Sequence, residues 1–135
     1  MSGLYKSYKK GDLEAVFNIL TVDVRAILGD VADYTVDLAL HDFLDDIPAA
    51  AREETSAALG SKTSDSPEGG VFDAANVTWT GASGDPCEFI SLHNQTPGTD
   101  ATRNLIVYID GFSVILNGGD ITANWDNGAN RIFKL

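Results

Sequence analysis

From residue 70 onward the chain is cut into short runs of strand-forming residues by turn signals at nearly regular intervals, and this punctuation constrains the fold more than any other feature. Val77 and Trp79 alternate with Asn76, Thr78 and Thr80, and Gly81 to Pro86 forms a turn. A second run spans Cys87 to Leu92, followed by a polar loop from Asn94 to Arg103. Leu105, Val107 and Ile109 alternate with Ile106 and Tyr108, so both faces are apolar, as in a central strand. Asp110-Gly111 and Asn117-Gly118-Gly119-Asp120 bracket a short run at Ser113 to Leu116. Ile121, Ala123 and Trp125 alternate with Thr122 and Asn124. Asp126-Asn127-Gly128 then predicts a tight hairpin to Arg131–Leu135, because Asn-Gly tolerates the positive φ of a type I′ turn. Thirteen glycines and four prolines suit this architecture. The pattern predicts a mainly β fold, a β-sandwich or jelly-roll-like single domain with short helical segments in the N-terminal third.

The first half is less regular. Leu4, Tyr5 and Tyr8, then Leu13, Val16, Phe17 and Leu20, predict one or two short amphipathic helices broken at Gly11-Asp12, with Asp12 able to cap the second. Val22, Val24, Ala26 and Leu28 alternate with Asp23, Arg25 and Ile27, which predicts a half-buried strand ended by Gly29-Asp30. His41 to Pro48 predicts a short helix stopped by the proline. Residues 49–64 read equally as a helix, from Ala and Glu, or as a polar edge strand. Ser64 to Gly70 is a loop. One domain over 1–135 is expected, with 1–20 an N-terminal arm or helix and 21–135 the β core.

Charge narrows the partners. Twenty acids against nine bases leave a net charge of −11, which repels phosphate, so no nucleic-acid partner is expected. The one basic cluster, Lys6, Lys9 and Lys10, reads as a solvated helix face. Residues 11–54 hold eleven acids and two bases, a surface that either meets a basic partner or keeps the chain dissolved. The opening MSGLYKSYKK lacks the apolar run of a signal peptide, and no stretch has the ~20 apolar residues of a membrane span. A single cysteine, Cys87, excludes an internal disulfide. Synthesis in a reducing cytoplasm is expected. On that reading Asn76-Val77-Thr78 and Asn94-Gln95-Thr96 match the glycosylation pattern by coincidence.

No catalytic constellation is legible, and neither catalytic residues nor a cofactor or metal are expected. Cys87 and His93 are six apart, so on one extended strand they share a face but lie about 20 Å apart. They read as a buried thiol and a loop-edge histidine. His41 and Asp45 share a helical face, but two ligands do not make a metal site. Asp126-Asn127 and Asn117–Asp120 read as turn residues before calcium ligands. Among twenty acids no pair is singled out for glycoside hydrolysis, and neither Gly69-Gly70 nor Gly118-Gly119 has a phosphate-loop context. Trp79, Trp125, Phe89 and Tyr108 are spaced as strand-borne core residues.

The second half also carries a longer pattern. Gly70-Val-Phe-Asp-Ala-Ala-Asn-Val-Thr-Trp-Thr80 precedes Asn104-Leu-Ile-Val-Tyr-Ile-Asp110. Asn117-Gly-Gly-Asp-Ile-Thr-Ala-Asn-Trp-Asp-Asn-Gly128 and Ile132-Phe-Lys-Leu135 follow. This resembles a family of small tailed-bacteriophage structural proteins with "VFDADDVTW", "LI.YID" and "NGGD.T..W..NG...FKL". Asp33–Asp37, His41–Ala49 and the opening Leu4–Gly11 are similar to that family as well. The chain departs from it over Ser83–Thr99, where Cys87–Asn94 replaces an "A.VIYKDTG" strand. The resemblance implies a virion component with no catalytic residues. The expected role is a capsid decoration (cement) protein on the capsid exterior, binding the major capsid protein and assembling as a homo-oligomer, a trimer by preference. The alternatives are a tail- or neck-associated protein, or a carbohydrate-binding β-sandwich module whose tryptophans would line a groove. The partner-binding residues are not legible.

Overall fold

The computed structural model describes residues 1–65 and 69–135, so part of the loop expected at Ser64 to Gly70 lies outside the described residues. In chain order the strands are β1 (Gly3–Leu4), β2 (Val24–Gly29), β3 (Arg52–Thr55), β4 (Val71–Phe72) and β5 (Val77–Trp79). They continue with β6 (Phe89–Asn94), β7 (Leu105–Ile109), β8 (Ile121–Ala123) and β9 (Phe133–Lys134); the helix α1 is Lys6–Leu13. The fold is mainly β. Five strands form an antiparallel sheet in the order β1-β7-β6-β2-β3, while β4 pairs with β9 and β5 with β8.

The sheet order follows from which strands are apolar on both faces. β6 is buried at every residue, β2 at all but Arg25, and β7 at all but Ile109. The polar run Arg52-Glu-Glu-Thr55 takes the outer edge, where charged side chains discourage pairing with another chain. Cross-strand register then sorts the core into two faces. Phe89 and Tyr108 stack at 5.1 Å, and Tyr34 packs against both, with the Tyr5 hydroxyl 3.1 Å from its own. On the opposite face Leu28 sits across from Ile90, and Leu92 across from Val107. The β5–β8 pair reaches this second face through Trp79, whose Nε1–H donates to the Ala26 carbonyl at 3.1 Å.

Several expectations change. The hairpin at Asp126-Asn127-Gly128 does not form, because β8 pairs with β5 and β9 with β4. Instead the Asp126 carboxylate accepts the Gly128 N–H at 3.0 Å, an Asx turn that sends the chain away from β8. α1 runs unbroken through Gly11-Asp12. Tyr5 and Tyr8, both buried, anchor one side of it, and that packing offsets the ~1 kcal/mol a helical glycine loses against alanine. No second helix follows. Ala15 turns into the left-handed region at φ +56, and residues 14–20 are irregular. β2 is buried on both faces rather than one; the alternation that suggested otherwise comes from Asp23 and Arg25 alone, which pair with each other at 2.9 Å. Residues 49–64 resolve into a 3-10 turn at Ala49–Ala51 followed by β3 as a short edge strand. Pairing with β2 overrides the helical preference of Ala and Glu. The expected helix at 41–48 is a single 3-10 turn, Leu44–Asp46, in which Asp46 accepts the backbone N–H groups of Asp42 and Phe43. The run at Ser113 to Leu116 makes one bridge, Val114 to Cys87, and no strand.

Candidate functional site

A cavity of about 690 Å³, half open to solvent, lies between the large sheet and the β5–β8 pair. Leu28, Ile90 and Val107 line it from the sheet, and Trp79 and Ile121 from the pair. Trp125, expected in the core, is instead partly exposed on the cavity wall. It follows β8 on a turn, where Asn76 accepts its backbone N–H and the Ala75 carbonyl accepts its Nε1–H, each at 3.0 Å. Both N–H groups of Trp125 are thus used within the fold, and the indole is held in place. Arg131 lies at the polar end of the wall with a backbone φ of +48. Its Nη1 donates to Asn127 at 3.2 Å, but its Nε is buried without a hydrogen bond. The Asp73 carboxylate stands 3.8 Å from Nε, an ion pair beyond hydrogen-bond reach.

The histidines and the cysteine do not assemble with one another. Cys87 precedes β6 and is fully buried; burial, with Glu53 and Glu88 nearby, pushes its thiol up to about 12 and keeps it protonated. His41 Nδ1 lies 2.8 Å from the Tyr34 hydroxyl, at the end of a chain that runs through Tyr5. Burial raises both tyrosines above their usual range, so their hydroxyls act as fixed hydrogen-bond groups. His93, expected at a loop edge, is fully buried inside β6. Its Nε2 lies 2.7 Å from Gln95 Oε1, and its Nδ1 has no partner.

Burial, reinforced by Arg103 and Arg52, lowers the His93 pKa below 6.5, the Gln95 hydrogen bond opposing it. The unfolded chain therefore binds a proton near pH 6.5 that the folded chain resists, so stability falls as pH drops below that value. Urea unfolding at pH 7.5 and 5.5 should show this slope. His93→Gln should be flatter between the two pH values; equal slopes would mean that His93 does not titrate against folding.

Of the side chains singled out as turn residues, Asn117 caps its own turn while Asp120 reaches across to a distant one. Asn117 accepts the Gly119 N–H and Asp120 the Gly81 N–H. A grouping the sequence did not suggest joins Asp30, Asp33 and Asp85, with one oxygen of each within 4.8 Å of the others. These three could contribute to a hard-cation shell only with water completing it. Lys6, Lys9 and Lys10 are exposed on α1, where Lys10 pairs with Glu14 at 2.8 Å.

The largest departure on the surface concerns residues 13–20. Leu13, Val16, Phe17 and Leu20 have the spacing of a buried helical stripe, yet Leu13 is 89% and Val16 56% exposed. Phe17 alone packs inward, on Tyr8 at 5.8 Å. Asp12 and Glu14 are exposed beside these side chains. The result is an apolar loop with acidic neighbours.

Among the described residues no helix is long and apolar enough to cross a membrane. The chain matches no protein-family model and no curated protein sequence.

Proposed function

We propose that this chain is a structural protein of a tailed-bacteriophage virion, a decoration protein that binds the major capsid protein lattice from outside and stabilises it. The observation that carries this reading is the exposed apolar loop at residues 13–20. A folded chain that leaves Leu13 and Val16 in water beside Asp12 and Glu14 offers a partner an apolar centre with a negative rim. The partner surface it fits is apolar and basic. The sequence resemblance to phage structural proteins supports the same reading. The three sheets are read as the two layers of a jelly-roll-like sandwich, supported by the Trp79 to Ala26 bond between the β5–β8 pair and the large sheet. A homotrimer made in the host cytoplasm and added at threefold lattice positions fits this role.

Cosedimentation with empty capsids tests it. The native chain should bind, and binding should weaken with salt. The double variant Leu13→Asp, Val16→Asp removes two exposed apolar side chains, each worth about 1.5–3 kcal/mol when fully buried. It should bind at least tenfold more weakly while unfolding at the same urea concentration. Failure of the native chain to bind, or undiminished binding by the variant, overturns the proposal. Copy number separates head from tail: a number tracking the capsid lattice fits decoration, and a single ring's worth places the chain at the neck or tail.

A further inference from the structure

We propose that the cleft between the large sheet and the β5–β8 pair is a docking groove for an extended segment of a partner polypeptide, which adds as a strand to the open edge of β8 and sets a basic residue on Asp126. The groove shares no lining residue with the loop at 13–20, so this does not rest on the virion reading.

The lining shows that the cleft follows a strand edge. Ile121, Thr122, Ala123, Asn124 and Trp125 all border it. Side chains on a strand alternate between two faces, so five consecutive residues meet one cleft only where it runs along their backbone. β8 pairs with β5 alone, and no other backbone–backbone hydrogen bond involves Ile121 to Asn124 among the described residues. Alternate N–H and C=O groups of β8 therefore point to the open side. The surroundings are apolar. Leu28, Ile90 and Val107 line the groove from the large sheet, and Ile109, Phe112 and Ile132 beside them are only half-buried. An alkyl chain would cover these side chains but strip water from the β8 edge without replacing its hydrogen bonds, which is unfavourable. An extended polypeptide supplies both the apolar side chains and the missing backbone partners.

Charge sets one end of the segment. Asp126 is exposed at the rim; its Oδ1 accepts the Gly128 N–H, and its Oδ2 takes no hydrogen bond among the described residues. Arg131, also on the lining, has Asp73 3.8 Å from its Nε and Asn127 as acceptor for its Nη1, so its charge is balanced inside the fold. Asp126 is thus the uncompensated charge of the groove, on a chain of net charge −11, and a lysine or arginine complements it. A second copy is a poor occupant, since its own open edge, β3, carries Glu53 and Glu54.

The test follows tryptophan fluorescence, since Trp79 and Trp125 line the groove, during titration with the N-acetylated, C-amidated peptide Lys-Val-Thr-Val-Thr-Val. Expected is saturable binding to one site, at least tenfold tighter than that of the same peptide with Glu in place of Lys. Amides of β8 that exchange freely with solvent in the unbound chain should be slowed by the peptide. Of two further peptides, N-methylated at alternate positions in the two possible registers, at least one should bind tenfold more weakly, because N-methylation removes the donors that face β8. Asp126→Asn keeps an acceptor for the Gly128 N–H and should erase the preference for Lys over Glu. Absence of saturable binding, a Lys peptide no tighter than the Glu peptide, or a preference that persists in Asp126→Asn overturns the proposal. So do unchanged β8 exchange, undiminished binding by both N-methylated peptides, or a self-associated chain whose β8 amides are already protected without peptide.

Discussion

Trp79→Ala should destabilise the fold by about 3–5 kcal/mol, the usual loss for emptying a large aromatic site in a core. The residue is 2% exposed and belongs to a two-stranded pair that has little stability of its own. Its Nε1–H reaches the Ala26 carbonyl, which also accepts the Ser56 N–H at 2.9 Å, so the same carbonyl holds both the indole and the segment leaving β3. Removing the ring takes away apolar contact with β2 and enlarges the existing cavity that it lines. Trp79→Phe separates the two contributions. It keeps most of the ring and loses the hydrogen bond, so about 1 kcal/mol is expected, plus whatever the smaller ring leaves unfilled. Urea unfolding of both variants measures this. If the alanine variant came within about 1 kcal/mol of the native chain, Trp79 would not be the clamp between the pair and the large sheet.

The second large effect belongs to a position without a side chain. Gly29 lies directly across from Phe89 on the neighbouring strand. A Cβ there would stand 2.2–2.7 Å from three atoms of the Phe89 ring, well inside contact distance. The ring cannot easily retreat, because Tyr108 stacks on it at 5.1 Å and Tyr34 packs at 5.4 Å. Gly29→Ala should therefore cost about 1–3 kcal/mol, as overpacking of a filled core does. The backbone at Gly29 is outside the left-handed region, so alanine brings no conformational strain and the effect is steric. The double variant Gly29→Ala, Phe89→Leu provides the check. It should be more stable than the sum of its single changes implies, because a leucine leaves room for the added methyl. Strict additivity would show that the two positions do not compete for space.

These two sites mark where the sequence is informative and where it stops being so. The burial of β7 on both faces is readable from Leu105–Ile109 because strand periodicity is local. The role of Gly29 is not, since the residue that needs its missing side chain is sixty positions away at Phe89. The same limit explains the Asp126-Asn127-Gly128 turn. Its residues permit a hairpin, but β8 and β9 have better partners in β5 and β4, which no local rule reveals. Leu13 and Val16 misled in the opposite direction. Their spacing is helical, but Leu13 ends α1 on its solvent side and the left-handed turn at Ala15 stops the helix before Val16. The cavity was invisible because its wall gathers Leu28, Ile90, Trp125 and Arg131 from remote parts of the chain. What could be seen was the abundance of short strands and the absence of a local catalytic motif.

The strand order β1-β7-β6-β2-β3 also has a consequence for how the chain is made. β2 and β3 are close in sequence and can pair early, but the other edge of β2 waits for β6, which brings Asn94 beside Val24. At synthesis rates of about 5–20 residues per second, that edge, bordered by Ile27 and Leu28, stays unpaired for several seconds. Closing such long loops before any contact rewards them is also intrinsically slow. The nascent chain is thus most open to wrong pairing in midcourse, and the carboxylates of Glu53 and Glu54, on the far side of the same hairpin, guard only one of its two edges.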